Sequence, residues 1–167
     1  CITNPRLPDN PIVYVNEAFL EMTTYQRHQV IGRNCRFLQR DDRDQAAIDS
    51  IREAIRAEQP ITTILRNYRR DGSIFWNELT VSPVHDESGT LINFVGIQND
   101  ISARKEAEKR VSEFYSVISH ELRTPLTSIN GALSVIADGS AGKVNAQVMR
   151  MVSIALENSE RLIRLIS

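Results

Sequence analysis

Two segments of the 167-residue chain carry side chains whose types and spacing could do chemistry. The first is Gly32-Arg33-Asn34-Cys35-Arg36-Phe37-Leu38-Gln39, a thiol set between two guanidiniums. Neighbouring cations lower a thiol pKa and expose the nucleophilic thiolate, so the spacing predicts a reactive Cys35. A lone cysteine also serves well as a small core residue, and the octapeptide by itself leaves both readings open. The second segment is Ser119-His120-Glu121-Leu122-Arg123-Thr124-Pro125-Leu126. A neutral imidazole at pH 7 is a competent nucleophile, here with Glu121 beside it and Thr124 one helical turn further on. Pro125 lacks the amide proton a helix needs, which predicts a kink at a cost of about 3 kcal/mol.

Strand periodicity supplies a third set. Ile61–Arg70 and Ser73–Val84 read as strands joined by Asp71-Gly72, a two-residue hairpin signal, and Thr90–Gln98 as the strand after them. Side chains alternate along a strand. One face therefore carries Ile61, Thr63, Leu65 and Asn67, then Phe75, Asn77, Leu79 and Val81, then Ile92, Phe94, Gly96 and Gln98. Each apolar face contains one carboxamide, and an unpaired buried amide costs roughly 1–3 kcal/mol. Three amides converging on one concave face predict a polar, heterocyclic partner inside the domain. The alternative is that they sit at strand ends and reach water.

The elements that position these groups change character along the chain. Ile12–Val15 is a β-branched run and predicts a strand. Asn16 can cap a short helix carrying Phe19, Leu20 and Met22, and Asp44–Glu58 is helical, with Ile48, Ile51 and Ile55 facing inward. Helices beside an antiparallel meander make an α+β domain. From Asp100, a candidate N-cap, an apolar stripe runs through Ala107, Val111, Phe114, Ile118, Leu122, Leu126, Ile129, Leu133 and Ile136. Asp138–Gly142 reads as a helix stop. A second stripe follows at Val148, Val152, Ala155, Ser159, Leu162 and Ile166. Two such helices have too little core to stand alone, so the pattern predicts a hairpin that pairs with a second copy as a dimeric four-helix bundle. His120 falls between stripe positions and should be exposed.

The net charge of −1 gives no bulk electrostatic reason to bind nucleic acid or an anionic membrane. The 41% hydrophobic and 25% charged content fits a folded protein and not a disordered one. No apolar run approaches the roughly 20 residues of a membrane span. Cys1 and Cys35 form no paired array, which argues against a disulfide scaffold or a metal site and suggests a reducing cytoplasm. The abrupt start on Cys1 suggests a piece of something longer.

The octapeptide GRNCRFLQ resembles the signature of the LOV domains, the blue-light-sensing flavin branch of the PAS family. The resemblance extends over PRLPDNPIVYVNEAF, the helix at 44–58, ILRNYRRDGSIFWN and NFVGIQND, roughly the first hundred residues. It implies a PAS-like five-stranded antiparallel sheet with helices. It makes Cys35 the photoactive thiol that adds covalently to the flavin ring after blue-light excitation. It assigns Arg36 and Arg52 to the flavin phosphate, and Asn34 and Gln39 to ribityl- and phosphate-side contacts. Asn67, Asn77 and Gln98 match the polar edge of the ring, with Gln98 the amide that flips when a ring nitrogen changes from acceptor to donor. Thr3, Asn10, Ile12, Leu38, Leu79, Val81, Phe94 and Gly96 match the pocket lining, and Cys1, on the face of Thr3, also approaches the flavin. The connection between Ile31 and the helix at 44 is short, which in this family suits FMN, whereas FAD accompanies a longer insertion. Thr23-Thr24-Tyr25 stands where the family usually has Thr-Gly-Tyr.

The segment around His120 resembles the H-box of sensor histidine kinases, over about residues 112–167. It makes His120 the phospho-acceptor, Glu121 its acid–base neighbour, and Thr124 the residue that positions water for dephosphorylating a response regulator. No Gly-rich nucleotide lid or Asn box follows, so ATP is expected to act only through a missing catalytic domain, and the piece is expected to be inactive alone. The reading is thus a flavin-binding LOV domain at 1–99, a linker signalling helix at 100–112, and a dimerisation and histidine-phosphotransfer domain at 113–167. Its expected partners are a second copy and a response-regulator receiver domain. The alternative is a PAS-type dimerisation module that senses a ligand or redox state without photochemistry.

Overall fold

The computed structural model describes residues 1–166. They divide into two compact units, Cys1–Glu106 and the part from Ala107 onward. The first unit contains five strands: β1 (Ile2–Thr3), β2 (Ile12–Tyr14), β3 (Ile61–Tyr68), β4 (Ile74–His85) and β5 (Leu91–Asp100). All pairings are antiparallel, and the order across the sheet is β2-β1-β5-β4-β3. Between β2 and β3 come α1 (Glu17–Thr23), α2 (Arg27–Val30), a 3-10 turn (Cys35–Gln39) and α3 (Ala46–Arg56). This is the expected α+β arrangement of a five-stranded antiparallel sheet with helices.

Asn16 caps α1 as its position predicts, accepting from the Phe19 amide at 3.1 Å. Phe19 then points inward and packs with Ile12, Val15, Val30 and Leu38 in a fully buried cluster beside the sheet. The helix ends at Thr24, whose φ of 60° and ψ of 14° are left-handed. A β-branched residue is unfavourable there. Two hydrogen bonds from Arg70 N hold the corner, one to Thr24 Oγ1 (3.2 Å) and one to Thr23 O (3.0 Å).

The hairpin between β3 and β4 differs from the two-residue turn the sequence predicts. Arg69 N donates to Ser73 O (2.9 Å) and Gly72 N to Arg69 O (3.0 Å), so three residues, Arg70-Asp71-Gly72, make the loop. Gly72 takes φ 94°, the left-handed position that closes a turn-plus-bulge hairpin.

The second unit lies within α4 (Ser102–Ala137) and α5 (Ala146–Ile166). The chain stays helical through Pro125. It stops where predicted: Gly139 takes φ 83°, and Asp138 Oδ1 accepts from Ser140 N at 2.8 Å. Asn145 restarts the helix by accepting from Val148 N (2.9 Å). No α4 residue is buried, and α5 buries only Val152 and Ser159. Val148 and Leu162 of the α5 stripe stay exposed in the single chain.

Thr24 generates a stability prediction. Thr24→Gly relieves a left-handed strain of roughly 1–2 kcal/mol and loses about 0.5–1 kcal/mol to chain entropy. Thr23 O still accepts from Arg70 N. Denaturant unfolding should show a net gain of about 0.5–1 kcal/mol. Thr24→Val, which keeps the branch and loses the hydroxyl, should be destabilised.

Candidate functional site

A cavity of about 530 Å³ lies inside the first unit, bordered by the inner face of the sheet, the 3-10 turn and α3. It brings together Thr3, Asn10, Asn34, Cys35, Arg36, Leu38, Gln39, Arg52, Asn67, Asn77, Leu79, Phe94, Gly96 and Gln98, with Cys1 and Val81 beside them. Ile12 is the exception among the expected lining residues. It is fully buried in the core cluster with Phe19 and Leu38 and does not border the cavity.

Two of the three amides are withdrawn from water, and Gln98 is partly exposed. Asn67 is 3% exposed and Asn77 1%. Asn77 Nδ2 donates to Asn67 Oδ1 (2.9 Å) and to Gln98 Oε1 (3.2 Å), so one amide joins its neighbours on both sides. Gln98 Nε2 donates onward to Cys1 Sγ at 3.4 Å. Three buried acceptors bordering the cavity, Asn77 Oδ1, Thr3 Oγ1 and Asn10 Oδ1, find no hydrogen-bond partner among the described residues. Leaving them unpaired is costly, and a ligand presenting several donors would satisfy them. Asn10 follows Asp9 in a loop where both residues take positive φ, 47° and 68°, and Asn34 ties that loop to the turn by donating to Asp9 O at 2.6 Å.

Cys35 opens the 3-10 turn, capped by Asn34 Oδ1 accepting from Arg36 N (3.0 Å). Of the two readings the octapeptide leaves open, the buried thiol holds over one activated by the flanking arginines. Burial pushes it up to about 11. The guanidinium of Arg33 stacks over the Phe37 ring at 4.2 Å, and that of Arg36 pairs with Asp9 at 2.6 Å. Both cations are occupied elsewhere, so desolvation decides. Cys35 Sγ lies 3.9 Å from Cys1 Sγ.

Arg36 and Arg52 border the cavity together with Arg43 and Arg56, which the sequence reading missed. Arg56 follows Arg52 by four residues and so shares its helix face, a spacing that was available as a signal. Arg52 pairs with Asp49 at 2.7 Å. A cationic group of this kind suits a phosphate. Ile48, Ile51 and Ile55 of α3 supply an apolar wall.

In the second unit His120, Glu121 and Thr124 all lie exposed on α4. Thr124 Oγ1 donates to His120 O at 3.4 Å, and Ser128 Oγ to Thr124 O at 3.2 Å. Among the described residues no cluster of three or more His, Cys, Asp or Glu is placed to hold a metal ion, and no helix is long and apolar enough to cross a membrane.

The family model of the PAS domain matches residues 1–103, and that of the His Kinase A (phospho-acceptor) domain matches residues 110–167. The light-state structure of the blue-light photoreceptor Aureochrome1 LOV aligns with a TM-score of 0.60 and 45% identity, covering 67% of this chain and 87% of that one. The chain belongs to the PAS domain family, in its LOV branch, with a His Kinase A segment following. It is 46% identical over 136 residues to blue-light-activated histidine kinase 1 of Erythrobacter litoralis (strain HTCC2594), covering 81% of this chain and 38% of that protein. It is 52% identical over 101 residues to the blue-light-activated histidine kinase of Brucella canis (strain ATCC 23365 / NCTC 10854 / RM-666), covering 60% of this chain and 21% of that protein. The chain thus spans well under half the length of these relatives.

Asn77 carries the polar wall, and its replacement has a definite expected effect. Asn77→Leu keeps the side-chain branching but leaves Asn67 Oδ1 and Gln98 Oε1 without their donor. Denaturant unfolding of the ligand-free chain should show a loss of roughly 1–3 kcal/mol, against a change within about 0.5 kcal/mol for Ile97→Thr on the exposed face.

Proposed function

We propose that this chain is the photosensory and phospho-acceptor part of a blue-light-controlled histidine kinase acting in the cytoplasm. The first unit holds FMN, and Cys35 is the thiol that reacts on illumination. The observation that carries this reading is the single cavity that combines a thiol, three unpartnered buried acceptors and an arginine-lined edge.

When bound, the flavin supplies blue-light absorption and an electrophilic ring carbon. Cys35 supplies the sulfur, and its raised pKa means that the thiol and not the thiolate awaits the light. Asn67, Asn77 and Gln98 orient the polar edge of the ring, and the apolar residues of α3 and the sheet exclude water. Arg36 and Arg52 hold the phosphate, with Asn34 and Gln39 on the ribityl side. The short connection between Ile31 and α3 favours FMN over FAD.

Residues 100–112 act as the linker between the LOV domain at 1–99 and the phosphotransfer domain at 113–167. Two copies pair through the helical hairpin. His120 is the phospho-acceptor, Glu121 takes its proton, and Thr124 positions water when a response regulator is dephosphorylated. ATP acts through a catalytic domain outside these 167 residues.

Two variants separate the parts. Cys35→Ala should keep its flavin and its dark absorption spectrum but lose bleaching in blue light. Bleaching with normal dark recovery would exclude Cys35 as the reactive thiol. A purified chain that takes up no FMN would favour a sensor without photochemistry. For the output, His120→Gln in a fusion to an ATP-binding histidine-kinase domain should carry no acid-labile phosphate while the light-induced bleaching persists. Phosphate retained in that variant would move the acceptor elsewhere.

A further inference from the structure

The two cysteines of the chain are far apart in sequence, yet their sulfurs are 3.9 Å apart at the same cavity wall. Each is fixed by a different element. Cys1 is held against β5 by reciprocal backbone hydrogen bonds, its N donating to Gly96 O (2.7 Å) and Gly96 N donating to Cys1 O (2.8 Å). Cys35 is held by the capped 3-10 turn. Gly96 leaves the space that Cys1 Sγ occupies, because a Cβ there would lie 2.9 Å from that sulfur. Both cysteines are free, and both residues are partly exposed. A disulfide needs about 2.05 Å between sulfurs, a closure that rotation of two short side chains can supply.

We propose that Cys1 and Cys35 form a dithiol–disulfide couple that a peroxide oxidises and a small thiol reduces. Gln98 Nε2 donates to Cys1 Sγ, and a hydrogen bond to sulfur favours the thiolate. Burial meanwhile holds the proton on Cys35, so Cys1 reacts first. Its thiolate attacks one peroxide oxygen, the O–O bond breaks, and hydroxide leaves to take up the proton Cys1 released. The resulting sulfenic sulfur is attacked by Cys35, the S–O bond breaks, and the Cys35 proton departs with the oxygen as a second water. Two thiols lose two electrons in all, and one peroxide is reduced to two waters. The disulfide consumes the sulfur that the proposed photochemistry uses, so the oxidised chain is blind to light. That last consequence rests on the functional reading above, whereas the couple itself does not.

The test uses the whole 167-residue chain, reduced, freed of thiols and kept dark. After hydrogen peroxide it should lose two hydrogens in mass and both alkylation sites for iodoacetamide, and dithiothreitol should restore them. Peptide mapping should join the Cys1 and Cys35 peptides within one chain. Cys1→Ser should show no loss of two hydrogens, and Cys35→Ala should yield a dimedone-reactive sulfenic acid at Cys1. Both thiols remaining alkylatable, or a bond formed only between chains on a non-reducing gel, would overturn the couple. In the FMN-loaded chain, the reduced form should bleach in blue light and the oxidised form should not. An oxidised form that bleaches as fully as the reduced one would overturn the light block. Failure of the reduced form to bleach would instead overturn the functional reading and leave the mass result standing.

Discussion

Asn77 donates from one amide nitrogen to two acceptors, Asn67 Oδ1 on β3 and Gln98 Oε1 on β5, while lying almost wholly out of water. The three neighbouring strands β3, β4 and β5 are therefore joined by side chains as well as by backbone. The network fixes which atoms can turn outward: with its nitrogen committed, the oxygen of Asn77 is left over beside the cavity. The isoleucines of α3 and the arginines Arg36, Arg43, Arg52 and Arg56 also border the cavity. A planar molecule with a heteroatom edge, an apolar edge and an anionic tail meets all three surfaces. Such a wall tolerates its unpaired acceptors only as a binding surface.

The same strand that carries Gln98 leads into α4. Two residues on, Asp100 pairs with Arg69 at 2.5 Å and accepts from Ser102 N at 2.9 Å. Burial works against the Asp100 charge, but the Ser102 hydrogen bonds and the Arg69 guanidinium outweigh it and hold the carboxyl below its usual range. Trp76 then grips the helix start from β4: its N–H donates to Ser102 Oγ (2.9 Å), and its carbonyl accepts from Ile101 N (2.9 Å). Coupling between sites needs an element with two arrangements. The proposed function gives that part to Gln98, since a flip of its amide would exchange the acceptor now facing Asn77 with the donor now facing Cys1. In the proposed function this exchange occurs at the root of α4.

Much of this was legible in the sequence because it follows from periodicity. Alternation put Asn67, Asn77 and Gln98 on one face, the helical spacing turned Ile48, Ile51 and Ile55 inward, and Asn16 capped α1. The rest depended on tertiary contacts that spacing does not carry. The thiol pKa turned on where two guanidiniums went, and Arg33 went to a ring and Arg36 to Asp9. The family resemblance assigned Ile12 to the lining, but Ile12 packs instead with Phe19 and Val30 in the core cluster. Thr24 occupies a left-handed corner that local preference assigns to glycine, and the hydrogen bond its hydroxyl accepts there comes from the distant Arg70 amide. The nearness of Cys1 to Cys35 needed β1 to pair with β5, a partnership between strands some ninety residues apart.

The helical unit poses the opposite problem, apolar surface with too little to cover it. Val111, Phe114, Ile118, Leu122 and Ile129 run along α4 and remain exposed in the single chain. Burying one such side chain is worth roughly 1.5–3 kcal/mol, so an unpaired stripe is strongly biased toward association. His120 lies two residues from both Ile118 and Leu122, which places it about 160° around the helix from each. In the proposed bundle the stripe turns inward and His120 is therefore carried outward, where a phosphoryl donor and a receiver domain can reach it. The packing that stabilises the dimer is thus also what presents the imidazole. Within that proposed bundle, a rotation of α4 by one residue step, about 100°, would turn the stripe out of its seam and the imidazole away from its partners at once.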